Sequence, residues 1–420
     1  MWPFTRTTKA PQNASPENPS TNLSKPDSWL YDAFGGAKAS TGVMVNEETA
    51  LRVSAVYRCV TLLASGVSSL PCGIFVPDGK GGKVAASEHP AYSLVHSTPN
   101  TMMTAVTMWD AFMWNVLLRG NGYAIIDWGR DGHPRELFPV PASLVRVEQE
   151  SGRSLRYFVK LAGGGEERVP MGEMLHVPGP GWNGMQGMSV IANAAREAVG
   201  LSIAAEQFVA KMHANAARPS GFVKTKKTMS TEAMERLKAT FDKLHAGVGN
   251  SGKTAVLDNE MEWQQAQINP VDVQTLESRR FQVVDIARIF GVPPHLVFET
   301  DKTTAWGSGI EQQGIGFVQY SLRPWIVRIE QEINRKLFGY KERKQNGYYA
   351  EFNLSGMLRG DSKTRSDFYS SAIQNGWMTP NEARKLENLP AVPGGDTLFI
   401  QQNLQPIDAA GAANGDTGGK

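Results

Sequence analysis

Between Tyr123 and Val177 the chain repeatedly alternates short apolar runs with tight turns, and this pattern limits the folds open to it. Tyr123–Trp128 and Arg135–Val140 flank Gly129-Arg130-Asp131-Gly132, and Leu144–Gln149 and Leu155–Leu161 flank Ser151-Gly152. Runs of this length joined by so few residues can only return antiparallel, because a parallel crossover needs a dozen residues or more. Val169–Val177 reads as a further strand. With helical patterns on both sides, the fold class expected is α+β.

Glu47 to Ser69 reads as one helix. Val53, Val56, Val60, Leu63 and Val67 recur at helical spacing, Asn46 can cap the start, and Leu70-Pro71 stops it. Ala105–Leu118 reads as a second helix, with Thr104 as cap and Gly120-Asn121-Gly122 as its end. Its apolar face, Met108, Trp109, Phe112, Met113 and Leu117, reads as core rather than ligand pocket. Ser189–Asn215 is rich in alanine, with Ala192, Ala194, Ala195, Ala198, Ala204, Ala205 and Ala210. So little side-chain bulk permits close helix–helix approach.

Further on, Gly221–Lys227 reads as a strand, Thr231–His245 as a helix capped by Ser230, and Ala255–Trp263 as a strand. Helical patterns return at Val273–Phe290, at Ile310–Phe338, where Pro324 should kink the helix, and at Ser362–Asn375 and Pro380–Glu387. Thr379 and Glu382 have capping-box spacing. Residues 1–27 and 403–420 are poor in apolar residues and read as flexible arms.

The formal net charge of +2, from 43 basic and 41 acidic residues among 420, argues against coating nucleic acid by bulk charge. A local surplus exists between Arg218 and Asp258, where eight basic residues face four acidic ones. The start lacks the apolar stretch of a signal peptide, and no run is long enough to span a membrane. Cys59 and Cys72 read as small buried hydrophobes in a reducing setting.

Residues 247–254, GVGNSGKT, spell a phosphate-binding loop at every fixed position. Such a loop needs a strand before it and a helix N-terminus after it, whose N–H groups hold the phosphates. Here the order is helix, loop, strand, which presents carbonyls and the negative end of the helix dipole. The segment therefore reads as an exposed turn. None of the seven histidines pairs with another at metal-ligand spacing, and HExxH and GxSxG are absent. No catalytic residue, metal or cofactor is expected.

A series of blocks resembles the portal proteins of long-tailed bacteriophages. They are SAVYRCVTLLASGVSSLPCGIF at Ser54–Phe75, HPAYSLVHSTPN at His89–Asn100 and LLRGNGYAII at Leu117–Ile126. ELFPVPASLVRV at Glu136–Val147, MLHVPG at Met174–Gly179 and GVPPHLV at Gly291–Val297 follow, then the long stretches Gly309–Leu337 and Gly360–Asp396. Their order and spacing carry the likeness across Asn46 to Pro406.

The resemblance implies a ring, typically a dodecamer, at one capsid vertex of the virion, assembled in the host cytoplasm. Double-stranded DNA would pass through its channel without sequence reading. Implied partners are the terminase large subunit, a head-completion or adaptor protein, and the major capsid or scaffold protein. By order along the chain, residues 28–188 correspond to the first part of the wing, 189–216 to a stem helix and 217–258 to the clip, whose helix is a candidate second stem helix. Residues 259–345 correspond to the second part of the wing, with a tunnel loop at 299–309, and 346–402 to a helical crown. The resemblance makes Lys302, Thr303, Thr304 and Trp306 tunnel-loop candidates. It makes Lys224, Lys226, Lys227 and Lys253 candidates for DNA or partner docking. The rivals are a P-loop ATPase of the packaging motor and a head-tail connector component without a portal role.

Overall fold

The computed structural model describes residues 37–79, 81–150, 154–214, 221–225, 230–236, 239, 261–265, 271–298, 313–354, 357, 362–387 and 389–399. The chain divides into two compact units. One comprises Met1–Thr304 with Gln319–Phe352, the other Ala305–Val318 with Asn353–Lys420.

The larger unit opens with a small strand pair, β1 (Ala37–Lys38) and β2 (Met44–Val45), and two helices, α1 (Glu47–Leu51) and α2 (Ser54–Ser68). The sequence pattern gives one helix here, and the structure breaks it at Arg52-Val53. Asn46 caps α1 in a capping box with Thr49, whereas Val53, the N-cap of α2, offers no side-chain acceptor. Then come β3 (Cys72–Pro77), β4 (Lys83–Ala85), α3 (Pro90–His96) and α4 (Ala105–Arg119). Thr104 accepts from the Thr107 N–H, and Gly120 ends α4 at φ 77°. The expected apolar face of α4 is core: Met108, Trp109, Phe112, Met113 and Leu117 are all at most 1% exposed, packed along α2.

Two three-stranded antiparallel sheets follow. One has β5 (Asn121–Trp128) between β6 (Pro134–Val140) and β10 (Met174–Pro178). The other has β8 (Leu155–Lys160) between β7 (Val145–Gln149) and β9 (Glu166–Val169). Tyr123, Val140, Val145, Tyr157, Val159, Val169 and Met174 form one core from both. The expected strand 169–177 is thus two strands in different sheets. Pro170 has no N–H to donate, and a tight turn at Met171–Glu173 redirects the chain between them.

The remaining elements are α5 (Arg196–Ala214), β11 (Gly221–Thr225), β12 (Met261–Gln265), α6 (Val271–Phe290), α7 (Arg323–Lys336) and β13 (Tyr349–Phe352). Residues 189–195, expected in the alanine-rich helix, precede α5 as turns. The long helix expected at Ile310–Phe338 is described from residue 313 and runs through a π-helical stretch, Phe317–Leu322, straight into α7, so Pro324 lies just after the π stretch within one continuous helical run. Its missing donor falls at the seam between the wide and ordinary helical bonding, where the π stretch takes up the irregularity.

β13 joins the edge of β3, with Cys72 opposite Phe352 and Phe75 opposite Tyr349. α7 lies against both β13 and β10. Its apolar stripe, Ile326, Ile329 and Ile333, is at most 1% exposed. Two polar rows flank that stripe. Glu330 and Asn334, four apart, accept from the Phe352 and Ala350 N–H groups of β13, both at 2.7 Å. Arg328, Glu332 and Lys336, again four apart, face the other sheet. Arg328 donates to the Pro178 carbonyl at 3.3 Å, Glu332 accepts from the His176 N–H at 3.4 Å, and Lys336 donates to the Met171 carbonyl. β10 and β13 are edge strands, whose free backbone groups would otherwise invite pairing with other chains. One helix therefore closes two sheet edges.

The smaller unit holds α8 (Ser362–Gln374) and α9 (Pro380–Leu386). Both bonds of the Thr379–Glu382 capping box are present. Arg365 and Tyr369 of α8 bind Glu387 just past α9, and Asn381 ties α9 to Val392 and Asp396.

Candidate functional site

α5 and α6 pack against each other, and the chain between them carries the pair β11–β12. The pair is antiparallel, with Gly221 opposite Gln265 and Thr225 opposite Met261. Chain leaving at Thr225 therefore returns beside its own exit, and residues 226–260 form an excursion with adjoining ends. Among the described residues the helix that packs along α5 is α6. The expected helix from Thr231 is described at 231–236 and begins after Ser230, whose Oγ accepts from the Ala233 N–H at 3.3 Å.

Where α5 enters the body it is tightly held. Ala195 and Val199 are fully buried, and a Cβ on Gly200 would stand 2.2 Å from the Ala39 Cβ. The small residues at this end thus serve contact within the chain, to the β1–β2 pair. Farther out the hairpin exposes large apolar side chains: Leu201 is 48% exposed, and Phe208 and Phe281 are each 63% exposed.

A closed polar hub lies in the body below. Asn121 Nδ2 donates to the Gly187 and Arg119 carbonyls, and Oδ1 accepts from the Gly187 N–H at 2.7 Å. Oδ1 can then only accept from His176 Nε2, 3.0 Å away, which leaves His176 Nδ1 to accept from the Tyr157 hydroxyl at 3.1 Å. Tyr123 stacks on the imidazole at 4.5 Å, and Gln186 donates to the Tyr123 hydroxyl. Burial, with Lys336 and Arg335 nearby, pushes the His176 pKa down to about 3, so the ring is neutral. Burial likewise raises Tyr123 to about 12 and lowers Lys336 to about 8. Both ring nitrogens are engaged. The hub locks the turn 179–188 to β5 and β10 and has no free base to offer a substrate.

Both cysteines are buried, and burial raises both thiols, Cys59 to about 12. Among the described residues no cluster of three or more His, Cys, Asp or Glu side chains could hold a metal, and no helix is long and apolar enough to cross a membrane.

Of the residues singled out from sequence, Lys224 lies in β11, in register with Glu262 of β12. That pairing sets an acidic residue directly across from it. Lys226, Lys227, Lys253, Lys302, Thr303, Thr304 and Trp306 lie outside the described residues, as does the whole segment 247–254. The described elements that bracket that segment are the helix 231–236 before it and β12 after it. The described chain stops at Phe298 and resumes at residue 313. Phe298 adopts φ 64°, the only non-glycine residue at positive φ among those described. Arg58 of α2 sits 5.3 Å over its ring and donates to the Leu296 carbonyl at 3.2 Å, fixing the point where the loop departs.

The sequence of residues 54–388 matches the phage portal protein family. This chain belongs to that family. It is 32% identical over 369 residues to the portal protein of Enterobacteria phage HK97, covering 87% of this chain and 86% of that one. It is also 32% identical to a probable portal protein of Streptomyces phage phiC31, covering 86% and 79% respectively. Among solved structures, a protein in the neck of an empty gene transfer agent particle computed with C6 symmetry aligns at TM-score 0.60. It is 22% identical and covers 87% of this chain and 99% of its own. A crystal structure of an HK97-family phage portal protein from Corynebacterium diphtheriae aligns at TM-score 0.54 and 17% identity, covering 77% and 98%. The portal family match spans α2 through α9 and includes both arms of the α5–α6 hairpin.

Proposed function

We propose that this chain is the portal subunit of a tailed-phage-like particle, a structural and not a catalytic component. Copies of it form a ring at one capsid vertex, and double-stranded DNA enters and leaves through the ring. The observation that carries the reading is the family match across residues 54–388. Gene transfer agent necks with this fold are computed with C6 and C12 symmetry, which fits a head-to-tail interface that closes by rotation.

In this reading α5 and α6 are the two stem arms and the excursion from β11 to β12 is the clip. This assigns to stem and clip the segment 259–290, which the order of sequence elements had given to the wing. The body up to β10, with α7 and β13, is the wing, and α8 and α9 belong to the crown. The ring multiplies the basic surplus of 218–258, so Lys224, Lys226, Lys227 and Lys253 hold DNA phosphates or an acidic face of the terminase large subunit or the head-completion adaptor, without reading bases. The wing faces the capsid or scaffold protein. Lys302, with Thr303 and Thr304, touches the DNA backbone, and Trp306 packs the base of the loop. Glu299 and Asp301 dilute the charge beside Lys302, which suits a channel where DNA must slide.

Electron microscopy of the purified protein tests the assembly: a holed ring of fixed symmetry is expected, and particles without a hole would refute it. Reversing charge at Lys302 is expected to slow or block DNA packaging while leaving rings intact; unchanged packaging would remove that residue's role.

A further inference from the structure

The chain ahead of β1 carries an apolar run that the ring reading does not use. Residues 5–28 hold one large apolar side chain, Leu23, and then Trp29, Leu30, Tyr31 and Phe34 fall within six residues. Side chains this large strongly favour a covered state. The described chain starts just after them, at Ala37, and that start is anchored on α5. Ala37 pairs with Val45 of β2, and a Cβ on Gly200 would stand 3.4 Å from the Val45 Cγ2 and 2.2 Å from the Ala39 Cβ. Ser40 donates to Glu197 of α5 from its N–H at 2.9 Å and from its hydroxyl at 2.6 Å. The β1–β2 pair therefore lies on the Glu197–Gly200 side of α5. That side continues outward as an apolar stripe. At about 100° per residue, Leu201 and Phe208 lie within roughly 40° of Glu197 around the helix. They are 48% and 63% exposed. Ser202 and Glu206 face the other way, lining a cavity with Gln282, Val283 and Ile286 of α6, so α6 does not cover the stripe.

We propose that residues 29–34 of the same chain lie over Leu201 and Phe208, extending the contact that β1 and β2 already make with α5. The tether decides for this occupant. Phe34 is three residues from Ala37, at most about 10 Å of chain. Phe208 stands eight residues beyond Gly200, about 12 Å along the helix. A six-residue run spans roughly 9 Å as helix and roughly 20 Å when extended, so with its tether it reaches from Leu201 to Phe208 in either form. Gly35-Gly36 separate the run from β1, and glycine accepts φ of either sign, which lets the chain turn back onto α5. A tether this short gives an effective concentration of about millimolar, an advantage that a second copy arriving from solution lacks. The inference concerns one chain and does not depend on the ring reading.

The test uses the full chain. Hydrogen exchange read by mass spectrometry is expected to show the amides of 29–34 at least tenfold more protected than those of 5–27. Leu201→Asp combined with Phe208→Asp should bring the two segments to within about twofold. Both positions are exposed, so folding should survive, and thermal melts check it. Equal exchange of the two segments in the wild type, or protection of 29–34 that survives the double substitution, overturns the proposal. Phe34→Cys combined with Leu201→Cys then identifies the source of the cover. Cys59 and Cys72 are buried, which leaves the two introduced thiols to react. A short bismaleimide should join them within one chain, giving an internally linked monomer on a denaturing gel and the corresponding linked peptide by mass spectrometry. A link that runs between chains gives a covalent dimer, assigns the stripe to a second copy and overturns the proposal. No link, while the control pair Ser40→Cys with Glu197→Cys is joined, overturns it too. Each of these outcomes leaves the portal reading standing.

Discussion

His176 gives the sharpest quantitative expectation. Its pKa falls from 6.5 to about 3 on folding, chiefly by burial, with Lys336 and Arg335 adding to the effect. The folded state therefore binds fewer protons than the unfolded chain between those two values. Stability rises with pH wherever the unfolded state holds more protons, so the penalty is absent above pH 6.5 and grows as pH falls toward 3. At roughly 1.4 kcal/mol per pH unit, this one side chain removes about 2 kcal/mol at pH 5 and about 4 kcal/mol at pH 3, where the folded ring begins to take a proton too. His176→Gln keeps a polar group in the hub but removes the titration. At pH 8 it should cost about 1–3 kcal/mol, because the Tyr157 hydroxyl or Asn121 Oδ1 loses its partner. By pH 5 the gap between variant and wild type should close by about 2 kcal/mol. Urea unfolding followed by tryptophan fluorescence at several pH values measures both curves. Carboxylates titrating elsewhere affect both proteins alike, so the difference isolates His176. Parallel curves from pH 8 to pH 5 would show that the ring is charged or solvated in the folded state and would refute the closed hub.

Other substitutions probe how the body is held. Glu330→Ala leaves the Phe352 N–H without its 2.7 Å acceptor and should cost about 1–3 kcal/mol in the same unfolding assay. Gly120→Ala meets both a left-handed backbone and the Met188 carbonyl oxygen at 2.3 Å, whereas Gly132→Ala meets a similar φ of 77° and open space. The first should cost over about 2 kcal/mol and the second nearer 1 kcal/mol, so equal losses would refute the close approach. Cys59 and Cys72 should ignore a thiol reagent in the native protein and react once it is unfolded, since burial raises both thiols. Equilibrium binding with a fluorescent ATP analogue should give no saturable signal in wild type or in Lys253→Ala; binding lost on that substitution would restore the P-loop ATPase reading.

What the sequence reveals here is local. Thr104, Gly120, Thr379 and Glu382 mark helix ends because a cap acts over three or four residues, and the structure shows each cap. The hairpin turn at 129–132 sets strand order for the same reason. The break at Arg52-Val53 carries neither glycine nor proline, so no local residue marks it. Pro170 did mark the split of the expected strand 169–177, but the apolar residues on both sides masked it. The pairing of β3 with β13 joins residues some 270 positions apart, which no local pattern encodes. The polar side chains of α7 read as an ordinary solvated face. Only with both sheet edges in place do Glu330 and Asn334 on one side, and Glu332 and Lys336 on the other, become the groups that finish those edges. The alanine-rich helix shows the same limit. Its composition announced a close neighbour, but Gly200 and Ala39 make that contact inside the chain. Farther along, the bulky Leu201, Phe208 and Phe281 are exposed instead, and nothing in their spacing told them from core residues.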